Sequence, residues 1–179
     1  MKTQDNSYYH IYNRGNNKEN IFFEDENYRY FLRQFAKYLN QSCEVYAYCL
    51  MPNHFHFFIK VIDKMNFDKG IKNFFISYSK SINKTYGRVG SLFQGRFKAI
   101  EIDSDSYFTR IVTYIHQNPL TAGLVEKLEE YPYSSYRTYI SEKKTLINRL
   151  EVISWFGGMK EFIANRANFT NTYEVLKTS

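Results

Sequence analysis

Cysteine, proline, glycine and tryptophan are all scarce in this chain of 179 residues. The two cysteines, Cys43 and Cys49, exclude a disulfide-stapled scaffold. On one extended segment they would stand roughly 20 Å apart, too far to bridge, and free thiols suit a reducing compartment. Three prolines and eight glycines exclude collagen-like and low-complexity architectures. No apolar run approaches the roughly 20 residues that a membrane span needs. Met1 to Ser7 is polar and carries no apolar core of an export signal. These absences lead us to expect a soluble, cytoplasmic protein with one domain, or one domain and an appendage.

Aromatic residues, by contrast, are abundant. Seventeen tyrosines, sixteen phenylalanines and one tryptophan make up 19% of the chain, within a hydrophobic fraction of 44% that suffices for a core. The formal net charge is +6, with a pI near 9.1, which leans toward a polyanionic partner. Tyrosine joins a stacking face to a hydroxyl, so a basic, tyrosine-rich chain suits single-stranded nucleic acid. Codon usage in an AT-rich genome explains the same composition without any partner.

Hydrophobic periodicity divides the chain into elements. Tyr8 to Arg14 alternates and reads as a first strand, closed by Gly15-Asn16-Asn17. Asp25 is placed as the cap of a helix with the stripe Tyr28, Phe31, Leu32, Phe35 and Leu39. Cys43 to Met51 is a second strand, with Cys43, Val45, Ala47 and Cys49 on one face and Glu44, Tyr46 and Tyr48 on the other. After Pro52-Asn53, His54 to Val61 forms a third strand. A second helix is expected over 68–86 on the stripe Ile71, Phe74, Phe75, Tyr78 and Ile82. A fourth strand is expected over 92–102, and a third helix opens near Ser104. The order β-α-β-β-α-β then helix is the split βαβ, or ferredoxin-like, pattern: an α+β fold with one antiparallel sheet and helices on one face. We expect residues 1–140 to form the main domain and 141–179 a helical C-terminal extension carrying Trp155 and Gly157-Gly158.

Three segments bear chemistry. Along the third strand Phe55, Phe57, Ile59 and Val61 form an apolar face, while His54 and His56 share the opposite face. Two imidazoles at that spacing can ligate one ion and leave its other positions open, although a solvated histidine pair has the same pattern. In the helix after the fourth strand Phe108, Ile111, Val112 and Ile115 make the core stripe. Tyr107, Tyr114 and Asn118 line a second face, and Tyr114 and Asn118 are one turn apart. A boundary tyrosine with its hydroxyl in water would read identically. His116 points away from Tyr114. Pro119 disfavours helical geometry at Asn118 and so predicts the helix end there. In 92–98, Gln94, Arg96 and Lys98 fall on one face and Phe93 and Phe97 on the other. Such a row suits phosphate contacts, or is simply a solvated strand face. Lys69, Lys72, Lys80 and Lys84 lie off the stripe of the second helix and read as its solvent side.

Five segments taken together resemble the HUH-type single-tyrosine transposases, and within them the REP-associated branch. These are 9–15 (Tyr9-His-Ile-Tyr-Asn-Arg-Gly15), 51–56 (Met51-Pro-Asn-His-Phe-His56), 90–97, 114–125 (Tyr114-Ile-His-Gln-Asn-Pro119 onward) and 131–136 (Tyr131-Pro-Tyr-Ser-Ser-Tyr136). They occur in the family's order and cover roughly residues 8–140, whereas 141–179 shows no resemblance. The resemblance implies that His54 and His56 bind Mg²⁺ or Mn²⁺ and that Tyr114 is the nucleophile. Asn118 stands where shorter members of the family carry glutamine as a third ligand. Being one methylene shorter, it would reach the metal directly or through a water. The resemblance further implies cleavage and rejoining of single-stranded, hairpin-forming DNA through a 5′-phosphotyrosine. The fold implied is the same split βαβ. Arg14, Gln94, Arg96 and Lys98 are the expected DNA contacts, and the protein acts as a monomer or a homodimer. Three alternatives use the same residues: a non-catalytic sheet that stacks single-stranded nucleic acid, a metal-dependent hydrolase that never leaves DNA attached to protein, and a domesticated relative that cleaves DNA but no longer mobilises an element.

Overall fold

The computed structural model describes residues 3–141 and 144–165; the end of the C-terminal extension lies outside the described residues. Strands β1 (Tyr8–Arg14), β2 (Cys43–Met51) and β3 (His54–Val61) are where the alternation puts them. With β4 (Lys98–Ile102) they form one antiparallel sheet in the order β2-β3-β1-β4. Helices α1 (Asp25–Leu39) and α2 (Lys64–Thr85) connect β1 to β2 and β3 to β4 and pack on one sheet face. This is the α+β ferredoxin-like arrangement. Helix α3 (Asp105–Thr121) crosses the opposite face, joined there by α4 (Tyr136–Tyr139), α5 (Arg149–Trp155) and α6 (Met159–Ala164). Among the described residues no helix is long and apolar enough to cross a membrane.

The face under α1 and α2 is an aromatic core. Phe55, Phe57, Ile59 and Val61 of β3 meet Phe31 and Phe35 of α1 and Phe74 and Tyr78 of α2. Phe35 stacks flat on Phe57 at 4.3 Å, and Phe31 meets Phe74 edge-on at 4.8 Å. Each fully buried ring of this kind contributes about 1.5–3 kcal/mol of transfer free energy. The helices approach closely at Gly70, where a Cβ would stand 2.4 Å from the Tyr38 carbonyl oxygen. Both cysteines are buried and free.

Four local expectations change. The α1 cap is Glu24 rather than Asp25, because Asp25 is the first helical residue and its carboxylate accepts from the Tyr133 hydroxyl. Helix α2 starts four residues before the expected 68, because the Asp63 side chain accepts from the Asn66 N–H and caps it. The faces of β2 do not alternate throughout: the register shifts between Val45 and Ala47. This bulge lets Tyr46 and Ala47 both turn to the α3 face. Tyr48 and Leu50 consequently join the α1/α2 core while Cys49 and Met51 face α3. Finally, β4 begins only at Lys98. Gly95, at φ +74°, breaks the extended path over 92–97, and Phe93 pairs with Gly15 only as an isolated bridge.

Residues 131–139 fix the outer strand to the α3 face. The Tyr131 hydroxyl donates to the Leu50 carbonyl at 2.8 Å, and the Tyr139 hydroxyl to the Tyr46 carbonyl. The Ser135 hydroxyl accepts from the Tyr48 N–H at 2.9 Å and is hydrogen-bonded to His116 of α3 at 2.7 Å. Helix α3 is thereby held at a fixed place over β2 and β3.

Candidate active site

Beyond its apolar half, the α3 face of the sheet opens into a cleft of about 650 Å³. Alternation on β1 sends His10, Tyr12 and Arg14 toward this face, and alternation on β3 sends His54 and His56 there. The antiparallel register sets Tyr12 opposite His56 and Arg14 opposite His54. Helix α3 contributes Tyr114 and Asn118, one turn apart. Gln94, Arg96 and Lys98 come from the segment entering β4. All eight residues expected from the sequence to form the site, spread over 105 positions from Arg14 to Asn118, thus line one cleft.

The imidazoles of His54 and His56 are 5.1 Å apart at 85° to each other. The Tyr114 ring meets His56 edge-on at 5.4 Å and His10 at 5.9 Å. His54 Nδ1 is 2.6 Å from Asn53 Oδ1, and the Asn53 amide donates to the Lys18 carbonyl at 3.1 Å. An amide oriented by that second bond presents an acceptor, so His54 carries its proton on Nδ1 and its Nε2 lone pair stays available. Asn118 Nδ2 donates to the Tyr114 carbonyl at 2.8 Å. Asn118 lies inside the helix, not at its end, because α3 continues through Pro119 to Thr121. Pro119 has no N–H to give the Ile115 carbonyl, and the helix closes two residues later, at Thr121.

Electrostatics favour an anionic ligand and neutral histidines. Among the described residues Arg14, Lys18, Arg96 and Lys98 line the cleft, and no carboxylate does. Arg14 holds Gln94 through two bonds of 3.1 and 2.9 Å. Burial pulls the His56 pKa well below 6.5, helped by His10 and His54 beside it. Burial and then Arg14 lower His54 as well, against a raising contribution from Asn118. Neutral imidazole is the metal-binding form. Among the described residues no three His, Cys, Asp or Glu side chains gather as a metal cluster. The available donors are therefore two imidazoles and the Asn118 amide, a set that can ligate one divalent cation and leave its further positions open to an anionic ligand.

The family model described as "Transposase IS200 like" matches residues 3–118. The chain belongs to this transposase family. A putative REP-associated tyrosine transposase of Haemophilus influenzae is 25% identical over 123 residues, covering 59% of this chain and 69% of that protein. The solved structure of a REP-associated tyrosine transposase bound to a REP hairpin matches with a TM-score of 0.61 at 17% identity. That match covers 79% of this chain and 83% of the other, and shows a shared fold. The family indicated by the five segments is therefore the family found.

Four cleft-lining residues escaped the sequence reading, Tyr12, Asn13, Lys18 and Asn53, and so did His10, which is buried against His56. Alternation on β1 groups His10 and Tyr12 with Arg14, a signal available from the sequence. Lys18 reaches the cleft from the 3-10 turn of 16–18, in which Asn17 and Lys18 have positive φ, and no periodicity marks such a turn.

Proposed function

We propose that this transposase cleaves and rejoins single-stranded DNA through a covalent bond to Tyr114. The observation that carries the reading is the placement of the Tyr114 phenol against His56, in one cationic cleft with His54 that no carboxylate among the described residues lines. His54 and His56 would hold Mg²⁺ or Mn²⁺, with Asn118 as a third donor directly or through water. When bound, the ion polarises the scissile phosphate and offsets the negative charge that develops on it.

The chain's own groups do the rest. Arg14, Arg96 and Lys98 neutralise the backbone phosphates and fix the strand's position, and Gln94, held by Arg14, adds a polar contact. The Tyr114 hydroxyl attacks phosphorus, its proton passing to solvent, and the bond to the 3′ oxygen breaks. That oxygen leaves as a 3′-hydroxyl after taking a proton from solvent, while the 5′-phosphate stays on Tyr114. Attack by a 3′-hydroxyl of the same or another strand reverses these steps and restores the phenol. The phosphoester is conserved throughout, so neither hydrolysis nor a nucleotide cofactor is needed. The DNA is hairpin-forming, the partner class named for the structural relative. In this reading residues 1–140 are the transposase domain and 141–179 an extension, and the protein works in the cytoplasm as a monomer or homodimer.

The test is a denaturing gel with hairpin oligonucleotides from the gene's flanks. The intact protein with Mg²⁺ or Mn²⁺ is expected to give a denaturant-resistant adduct, absent with EDTA and absent in Tyr114→Phe. Cleavage without an adduct would instead indicate a hydrolase, and binding without either a non-catalytic module.

A further inference from the structure

His10 has no role in the reaction just described, yet it is the most enclosed polar side chain next to the cleft. It projects from β1 between its ladder partners Phe58 and Ile100, and is 3% exposed. Its Nε2 is 2.9 Å from Nδ1 of His56, and the two rings stack at 20° with centroids 5.1 Å apart. Tyr12, two residues further along β1, stacks on it at 4.9 Å. A histidine held this tightly by neighbours on its own sheet face has essentially one rotamer.

A bond between two neutral imidazoles leaves one choice: either ring can be the donor. If His10 donates, His56 carries its own proton on Nε2 and has no lone pair left for the cleft. If His56 donates from Nδ1, its Nε2 lone pair is free. His10 must then carry its proton on Nδ1, a buried atom without a hydrogen-bond partner. The opposite choice leaves that same atom a buried bare acceptor, so it does not select between them. The neighbouring histidine does: His54 is held at Nδ1 by an acceptor, Asn53, and presents Nε2. Only the second choice gives the two cleft histidines the same polarity.

We propose that His10 is a positioning residue whose Nε2 accepts the His56 Nδ1 proton, fixing the tautomer and ring orientation in which His56 Nε2 presents a lone pair to a divalent cation. The inference rests on the reading of His54 and His56 as the cation-binding pair. Acceptors that orient metal-ligating histidines are worth about 10–100-fold in metal affinity. Phenylalanine at position 10 fills a similar volume but accepts no hydrogen bond. Glutamine supplies a carbonyl acceptor.

The experiment measures Mn²⁺ binding by calorimetry and paramagnetic resonance, without DNA, on the full chain and on His10→Phe and His10→Gln. Nitrogen-15 spectra of the histidine rings are recorded for the full chain with and without a diamagnetic stand-in, Mg²⁺. The expected result is a Mn²⁺ affinity lowered roughly 10–100-fold in His10→Phe, largely recovered in His10→Gln, with His56 protonated on Nδ1 in the unmodified chain. Equal affinity in His10→Phe, or a His56 Nε2–H in the unmodified chain, overturns the role of His10. If both variants lose their folded circular dichroism, the ring spectra alone decide. Absence of Mn²⁺ binding by the unmodified chain would overturn the cation-pair reading as well, a result distinguishable from failure of His10 alone.

Discussion

One sheet face carries two surfaces made by the same strands. At one end Tyr46, Phe58, Phe108 and Trp155 lock together, Tyr46 on Trp155 at 5.1 Å and Phe108 on Trp155 at 4.9 Å. At the other end, four residues along β1 from Tyr8 and β3 back from Phe58, the side chains are Tyr12, Arg14, His54 and His56. Backbone pairing is continuous across both ends, so the pleat does not distinguish them. The difference lies in what covers each. Helices α5 and α6 bring Trp155 and Phe162 over the apolar end, whereas over the polar end α3 presents Tyr114 and Asn118 and leaves an opening. Stability and chemistry are thus separated along the strands of one face, with His10 at the border.

The separation makes opposite predictions for the two ends. The largest effect is expected at the polar end. His54→Ala should lower the rate of adduct formation about a thousandfold, near 4 kcal/mol of barrier, if a cation held there stabilises the developing charge. Its denaturation midpoint should stay within about 0.5 kcal/mol of the unmodified chain, because no core packing is lost. A variant that unfolds instead would merge the two functions. At the apolar end the pattern inverts. Phe58→Ala leaves a void between β3, Tyr46 and Phe108, and should cost about 3–4 kcal/mol in urea denaturation. Adduct formation per folded molecule should be nearly unchanged.

An acid titration sharpens the comparison with a histidine outside the candidate site. His116 lies beside Tyr136, Tyr139 and Phe162, and burial pulls its pKa from 6.5 to about 3. Its folded pKa is depressed, so the unfolded chain takes up a proton near pH 6.5 while the native state refuses it until about pH 3. Stability therefore falls as pH drops through that window, by about 2 kcal/mol from pH 7 to 5 for this one group. His116→Asn should remove that share of the acid sensitivity in denaturation curves at the two pH values. An unchanged slope would mean that His116 takes up its proton alike in the folded and the unfolded chain.

Much of this division is legible in the sequence, and the exceptions have physical causes. Strands β1, β2 and β3 keep their expected bounds because alternation and the Gly15 and Pro52 punctuation are local signals. The Tyr46 bulge is not local: it accommodates an aromatic packed on Tyr8 and Trp155, and only tertiary contact reveals it. Residues 92–97 still present Gln94 and Arg96 to the cleft and Phe93 and Phe97 to the core, although Gly95 breaks the strand that motivated the assignment. The pair His54 and His56 is visible as a spacing. His10 is not, because its meeting with His56 is a diagonal contact across β1 and β3 that depends on their register.

The smallest predicted effect tests whether the cationic rim acts on phosphates or is only a solvated edge. Arg96 is exposed, makes no ion pair among those of the described residues and lines the cleft. If it neutralises one phosphate, Arg96→Ala should weaken single-stranded DNA binding by about 1 kcal/mol and lower the slope of log affinity against log salt by about 0.7. A neutral substitution on the solvent side of α2, Lys84→Ala, removes the same charge from the whole molecule but not from the rim. Should both variants shift the salt slope equally, the attraction would belong to the net charge of +6 rather than to the cleft. A change in Arg96→Ala alone would tie the polar end of the sheet to the strand it holds. The difference between the two slopes, rather than either affinity, carries that decision because it cancels the long-range field both variants share.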